Sequence, residues 1–301
     1  MLAAAAAVAV VLLLVAGILP GRLDRAHWPT REPALALLLW QAAGLAGGLL
    51  CLALAATATL APLGPTWGAA LPRLADGLPT RSFAPAAVGA VILARLTSVL
   101  LVSTARTLAS RRRNRRLVDL VAERNPLLPG TSVVDHALPV AYCLPGGRPR
   151  LVLSRGTLSL LSYDELTAVL AHERAHLDQR HDLVVLPFVA LSATFPRLAP
   201  VRRARGQVAL LVELLADDRA ARHRGVSQDR QHLAQALWKI GTGCAPPGAL
   251  GAAGGDVLLR ARRLLAPPDP LPGGARLAVL GLVAAVAASP ALGPVVPLLV
   301  R

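Results

Sequence analysis

Four stretches of this chain carry almost no polar side chain. Leu2–Leu19 is an uncharged run of Ala, Val and Leu; no charge falls between Pro33 and Pro72, where the densest part is Ala34–Leu60; Phe83–Thr104 is apolar except for Arg95; and Leu277–Val300 is uncharged. A helix needs about 20 apolar residues to cross the hydrocarbon core of a bilayer. The pattern therefore predicts four transmembrane helices, at about 2–19, 34–60 and 83–105, with the fourth after 276. No Lys or Arg precedes Arg22, so the first run lacks the charged start of a signal peptide and is expected to be an uncleaved span. The last run holds Pro290, Pro294 and Pro297, tolerable where neighbouring helices satisfy the freed carbonyls. Arg95 either faces a bundle interior or water, or marks a span that is shifted or interfacial. Leu183–Pro196 is uncharged but short for a span, and reads as a core or interfacial helix.

Between the third and fourth runs the periodicity changes. A helix is expected to continue from the third run through Arg124, stopped by Asn125-Pro126 and Pro129-Gly130. Strand-like pieces follow at Ser132–Asp135, Val140–Cys143 and Arg150–Ser154, with Pro145-Gly146-Gly147 as a turn. Ser162-Tyr163-Asp164-Glu165 forms a capping box opening the helix LTAVLAHERAHLDQR, whose Leu166, Val169, Leu170 and Leu177 lie near one stripe. A second helical pattern starts after Gln207 and ends at Gly225, a natural C-cap. The expected fold class is thus a membrane α-helical protein with a mainly helical α+β domain inserted between spans three and four. Its parts are residues 1–110 with three spans, the inserted domain at 111–275, and the fourth span at 276–301.

Composition narrows the partners. Hydrophobic residues are 54% of the 301 and charged ones 16%, which excludes disorder; three isolated cysteines (Cys51, Cys143, Cys244) make no disulfide framework. The formal net charge of +15 comes from 32 basic residues, of which Lys239 is the sole lysine. A basic chain suggests nucleic acid, but here the arginines hug the ends of the apolar runs: Arg22, Arg25 and Arg31, then five within 111–116, then Arg260, Arg262, Arg263 and Arg276. The positive-inside rule makes that side cytoplasmic, with both termini extracytoplasmic in a cell membrane. The lipid bilayer is the expected partner of these runs. Direct nucleic-acid binding is not expected, because no helix-turn-helix, RNP-like or zinc-finger signature accompanies them.

The candidate chemistry lies in five residues, His172-Glu173-Arg174-Ala175-His176. Histidines four apart project from one helix face and can share one tetrahedral zinc ion. Glu173, beside the first ligand, is placed to take a proton from water rather than to bind metal. A catalytic zinc needs a third protein ligand, and Glu213 stands among Val212, Leu214 and Leu215, an odd carboxylate to bury without a partner. Asp217, one turn on, is placed to orient a ligand histidine. His181 and His223 are weaker candidates for a transition-state donor; for His181 a helix-end or surface role is favoured, and nothing in the sequence places His223 at the oxyanion. Cys143 reads as small packing.

These motifs carry a resemblance. Ala141–Gly147, Asp164-Glu165-Leu166, His172-Glu173-x-x-His176 and Glu213-x-x-Ala216-Asp217 resemble the BlaR/MecR family of integral-membrane zinc peptidases and share features with HtpX-type and CAAX-protease gluzincins. The resemblance implies one Zn2+ per chain held by His172, His176 and Glu213, Glu173 as general base and Asp217 behind the ligands. It also implies a gluzincin peptidase domain in the cytoplasm, with Val140, Ala141, Tyr142 and Cys143 as an edge strand that pairs with an extended peptide or protein substrate. By the same resemblance the substrate is a cytosolic BlaI-type transcriptional repressor, cut in signal-responsive proteolysis. The alternatives are membrane quality control of HtpX type, and a catalytically silent membrane receptor. The antirepressors carry a penicillin-binding sensor domain after the last span, whereas this sequence ends at Arg301, so direct β-lactam sensing is not expected.

Overall fold

Helix dominates the computed structural model, which describes residues 1–124, 131–144, 150–222, 227–243 and 252–299. The chain divides into two compact units. The first comprises Met1–Ser103, Leu186–Val208 and Leu271–Arg301; the second comprises Thr104–Val185 and Ala209–Pro270.

In the first unit the opening run extends past Leu19. It consists of α1 (Leu2–Leu12), a π-helical turn (Leu13–Ile18) and α2 (Leu19–Arg25). The π turn has a local cause. Pro20 has no N–H to give to Ala16, and its ring would crowd that carbonyl; widening the turn relieves both, and the Leu19 N–H reaches back to Leu14 O. Next come α3 (Pro33–Leu60), α4 (Trp67–Ala70) and α5 (Thr80–Val121). With 42 residues, α5 is about 63 Å long, twice the hydrocarbon thickness, so its arginine-rich second half is simply more of the same helix. Arg95 on α5 is exposed, so the bundle-interior alternative for it does not hold here.

In the second unit, three residues expected at the end of the α5 helix instead form β1 (Ala122–Arg124). They pair antiparallel with β2 (Thr131–Val134), Ala122 opposite Val134; the ladder offers these amides partners just where a helix running toward Pro126 must stop. β3 (Ala141–Leu144) and β4 (Arg150–Ser154) complete a sheet of order β1-β2-β4-β3, with β2 and β4 parallel and β3 antiparallel to β4. The three strand-like pieces in the sequence thus match strands to within a residue or so. The expected Pro145-Gly146-Gly147 turn, the Asn125–Gly130 breaker and the Gly225 cap lie outside the described residues.

The helices follow: α6 (Arg155–Leu160), α7 (Tyr163–Asp178), α8 (His181–Thr194), α9 (Ala199–Ala220), α10 (Ser227–Gly243), α11 (Ala252–Leu265), α12 (Gly273–Ala288) and α13 (Leu292–Leu299). α9 starts at Ala199, nine residues before the expected Val208, because Val201, Ala204 and Val208 keep helical spacing through its arginines. The proline-bearing fourth run breaks at Pro290 into a 3-10 turn (Ser289–Ala291) between α12 and α13. Four helical stretches, Leu2–Arg25, Pro33–Leu60, Thr80–Leu120 and Gly273–Val296, are long and apolar enough to cross a membrane.

The core of the second unit lies between the sheet and α7, α10 and α11. Leu151 and Leu153 of β4 join Leu166, Val169, Leu170, Leu233 and Leu264, while Val152 faces the other way onto Val118 and Leu144, as alternation in a strand demands. A close approach locks β4 to the segment before β3. Ser154 Oγ accepts from Val140 N at 2.9 Å and donates to Leu138 O at 2.7 Å, and a Cβ on Gly156 would stand 2.0 Å from Ala137 O. Gly156→Ala is therefore expected to push backbone against backbone and destabilise the fold by about 1–3 kcal/mol. A melting temperature equal to that of the parent chain would refute this.

Candidate metal centre

The site is built on α7. Its N-terminus is fixed by the expected capping box: Ser162 Oγ accepts from Glu165 N at 3.3 Å, and Ser162 N donates to Glu165 Oε2 at 2.8 Å. Lys239 of α10 donates to the same Oε2 at 2.8 Å, tying the start of α7 to the core. Leu166, Val169 and Leu170 face that core. The opposite side presents His172, Glu173, His176 and Leu177 to a cleft of about 460 Å3. Leu177, expected in the buried stripe, is half-exposed there, since it lies one turn from Glu173 and shares its direction.

α9 supplies Glu213. His172 Nε2 lies 3.1 Å from His176 Nε2 and 3.4 Å from Glu213 Oε2, and His176 Nε2 lies 3.5 Å from Glu213 Oε1. Two donors roughly 2.0–2.1 Å from a zinc ion at a tetrahedral angle stand about 3.3 Å apart. The triangle is therefore the size that such an ion requires, and two imidazoles with one carboxylate are zinc chemistry, so the residues present fit the metal. One expectation changes. Glu213 is not buried: its side chain keeps 36% exposure, while its neighbours Val212 and Leu214 are buried. Each helical residue turns about 100°, so the carboxylate looks into the cleft while the flanking side chains look into the core.

A second layer holds the ligands. Asp217, 1% exposed, brings Oδ1 to 2.9 Å from His172 Nδ1, without an N–H aligned on it. Arg260 of α11 grips Asp217 with two hydrogen bonds, Nε and Nη2 each donating at 2.8 Å, and its Nη1 lies 2.9 Å from Glu213 Oε2. Next to it, Arg263 grips Asp218 in the same forked way at 2.6 and 2.9 Å. His181 lies at the start of α8, but buried rather than at the surface. Arg180, in the left-handed region at φ 48°, turns the chain back there. The turn sets His181 Nδ1 2.9 Å from His176 Nδ1, with Nε2 2.6 Å from Gln179 Oε1. His223 lies outside the described residues.

The electrostatics follow from this packing. Burial drives the His172 imidazole down, but the adjacent carboxylates of Asp217 and Glu213 outweigh it and raise the pKa to about 9. Burial also acts against the Glu213 charge, yet His172, His176 and Arg260 hold its carboxyl well below the usual carboxylate range. His181 is pushed down to about 4 by burial and by the neighbouring His176. Glu173 is raised, chiefly by burial, and so is a better proton acceptor than an ordinary carboxylate.

The expected substrate strand is at the sheet edge, its described ladder running to β4 alone. Ala141 and Cys143 face α7 and the core there, while Tyr142 faces the other side. Val140 stands just before the strand, and its main chain is already used: its N–H donates to Ser154 Oγ, and its C=O accepts from Ser154 N and Thr157 Oγ1, each at 2.9 Å. The Cys143 thiol is pushed up to about 12, first by burial and then by the Glu173 charge. It therefore stays a neutral S–H, hydrogen-bonded to Glu173.

Arg260 is the site residue whose sequence context pointed only to membrane topology. Its signal is positional: it occupies the i+3 place of the apolar stripe Val257, Ala261, Leu264. Arg260→Gln strips a buried carboxylate of its partner and is expected to cost about 3–5 kcal/mol of stability. It is also expected to weaken zinc binding by roughly 10–100-fold. An unchanged melting temperature together with unchanged zinc affinity would rule out that role.

Residues 107–215 match the model of peptidase family M48, and M48 peptidases are typically zinc-dependent. The matched stretch contains His172, Glu173, His176 and Glu213. No curated protein and no solved structure matches the chain.

Proposed function

We propose that this chain is a membrane-embedded zinc endopeptidase whose centre is His172, His176 and Glu213. The observation that carries the reading is the triangle of imidazole and carboxylate atoms at 3.1, 3.4 and 3.5 Å within a stretch that matches a metallopeptidase family. The bound ion supplies a polarised scissile carbonyl and a water of lowered pKa. Glu173, half-buried in the cleft wall and raised in pKa, takes that water's proton and later delivers it to the leaving amine. Asp217 and Arg260 hold His172 in place, and His181 does the same for His176. An extended substrate adds to the free edge of β3, its main chain pairing along Ala141–Cys143; Val140 contributes position rather than pairing.

By resemblance to the BlaR/MecR family, the substrate is a cytosolic transcriptional repressor of the BlaI type, cleaved in response to a signal. The arginine distribution supports a cytoplasmic peptidase side with the termini outside. The family match is to M48 at large and lends equal support to a quality-control peptidase of HtpX type. Incubating the zinc-loaded chain, in mild detergent, with a winged-helix repressor and with a panel of unfolded proteins separates the two. One defined cut in the repressor selects regulation, and many cuts across the unfolded panel select quality control. No cleavage of any substrate by zinc-loaded chain would overturn the peptidase reading.

A further inference from the structure

The first unit contains a cavity of about 240 Å3 that the proposed peptidase chemistry does not use. Trp40, Gly44, Gly47 and Gly48 of α3 and Phe188 of α8 line its interior. The room comes from the glycines: a Cβ on Gly47 would meet Ala16 at 3.8 Å and one on Gly48 would meet Leu96 at 3.9 Å, so larger side chains there would grow into open space. The cavity exceeds the roughly 150 Å3 at which a dry apolar void already takes up benzene. Hydrocarbon fills such a space readily, because empty space forfeits dispersion contacts.

Its walls also include Pro20, Val201 and Ala204, with the exposed Phe195 and Leu198. The chain around those residues is strongly basic. Arg22 and Arg25 follow Pro20, and Arg197, Arg202, Arg203 and Arg205 flank Val201 and Ala204, all exposed. The two groups meet: Arg203 Nη1 lies 3.8 Å from the Cβ position of Gly21, and its Nε lies 3.9 Å from Asp24 Oδ2. Asp24 is also engaged by Gln207 Nε2 at 2.8 Å. Apart from Asp24, the charged residues that flank these wall positions in the chain are all arginines, so the surface beside them is strongly positive.

An apolar cavity whose wall residues are flanked by exposed arginines is complementary to an anionic amphiphile. We propose that this cavity binds one acyl chain of an anionic phospholipid from the surrounding bilayer, with the headgroup phosphate held by Arg202 and Arg203. Forked guanidinium donors suit phosphate oxygens. The inference rests on the membrane placement of the first unit and is independent of the peptidase reading.

Trp40 provides the readout, since it lines the cavity and is only 2% exposed, out of contact with bulk lipid. The full chain carrying Trp28→Phe, Trp67→Phe and Trp238→Phe keeps Trp40 as its sole tryptophan. It is reconstituted in bilayers of phosphatidylcholine containing a minor fraction of brominated-acyl phosphatidylglycerol or brominated-acyl phosphatidylcholine. Trp40 fluorescence is expected to be quenched several-fold more by the brominated phosphatidylglycerol. Arg202→Gln with Arg203→Gln, which removes both positive charges at exposed positions, should reduce that quenching to the phosphatidylcholine level. Gly48→Leu should abolish it by filling the space. Equal quenching by both lipids, or quenching indifferent to the arginine pair, overturns the proposal. A chain that fails to enter the bilayer overturns it through the membrane placement, whereas loss of proteolysis alone bears only on the peptidase reading.

Discussion

Glu173→Gln is expected to lower peptide hydrolysis by roughly 10²- to 10⁴-fold, the usual contribution of a positioned general base, while the zinc content stays at one ion per chain. The two halves of this expectation have different origins. Glutamine keeps the size of the side chain and accepts the Cys143 thiol hydrogen bond, so the cleft wall between β3 and α7 is not disturbed. The ligand triangle involves His172, His176 and Glu213, none of which changes. What disappears is a carboxylate whose affinity for a proton has been raised, first of all by burial, and an amide cannot accept that proton. Metal content by atomic absorption and cleavage rate on the same preparation decide the matter. If the variant loses zinc along with activity, Glu173 acts on the ligands; if it cleaves as fast as the parent, it is not the base.

Much of the site could be read in advance because it depends on local rules. The capping box fixes where α7 starts, and the i, i+4 spacing fixes that His172 and His176 share a face. The four long apolar runs needed only length. Harder to read was everything decided by a second element arriving from far along the chain. Glu213 and Arg260 are the clearest case. Each is a charge among apolar neighbours in sequence, one on α9 and one on α11, and the two signals have opposite sign. Taken singly, Glu213 suggested a metal and Arg260 a membrane anchor; only the fold shows them 2.9 Å apart with Asp217 between their turns. His181 was obscured for a similar reason, since its burial follows from one left-handed residue, Arg180, that no turn signature announces. The π turn before Pro20 has no signal in the apolar run Leu2–Leu19, because a span can widen one turn to keep a proline without any change in hydrophobic pattern.

The largest effect on stability is expected from the metal, and its pH dependence should change sign when the metal is removed. In the metal-free protein His172 is raised to about 9 from an ordinary value near 6.5. A group whose folded pKa lies above its unfolded one contributes stability that is fully present below the lower value and lost as pH rises through the higher. The metal-stripped chain should therefore lose about 3 kcal/mol between pH 6.5 and 9, at about 1.4 kcal/mol for each pH step between the two values. The other displaced groups do not oppose this. His181 is lowered to about 4, so its effect falls below pH 6.5; the depressed Glu213 acts at lower pH still; and the raised Glu173 acts in the same direction as His172. Zinc requires both imidazoles neutral, so its binding competes with the proton and strengthens over the same interval. At a free concentration 1,000 times its dissociation constant it adds about 4 kcal/mol. Thermal unfolding in detergent at pH 6.5, 7.5 and 8.5, with chelator and with buffered zinc, should show two curves that diverge as pH rises. Parallel curves would mean that the proton held by Asp217 and Glu213 does not sit where the ion binds, and a zinc curve lying on the chelator curve would mean that the triangle is not a metal site.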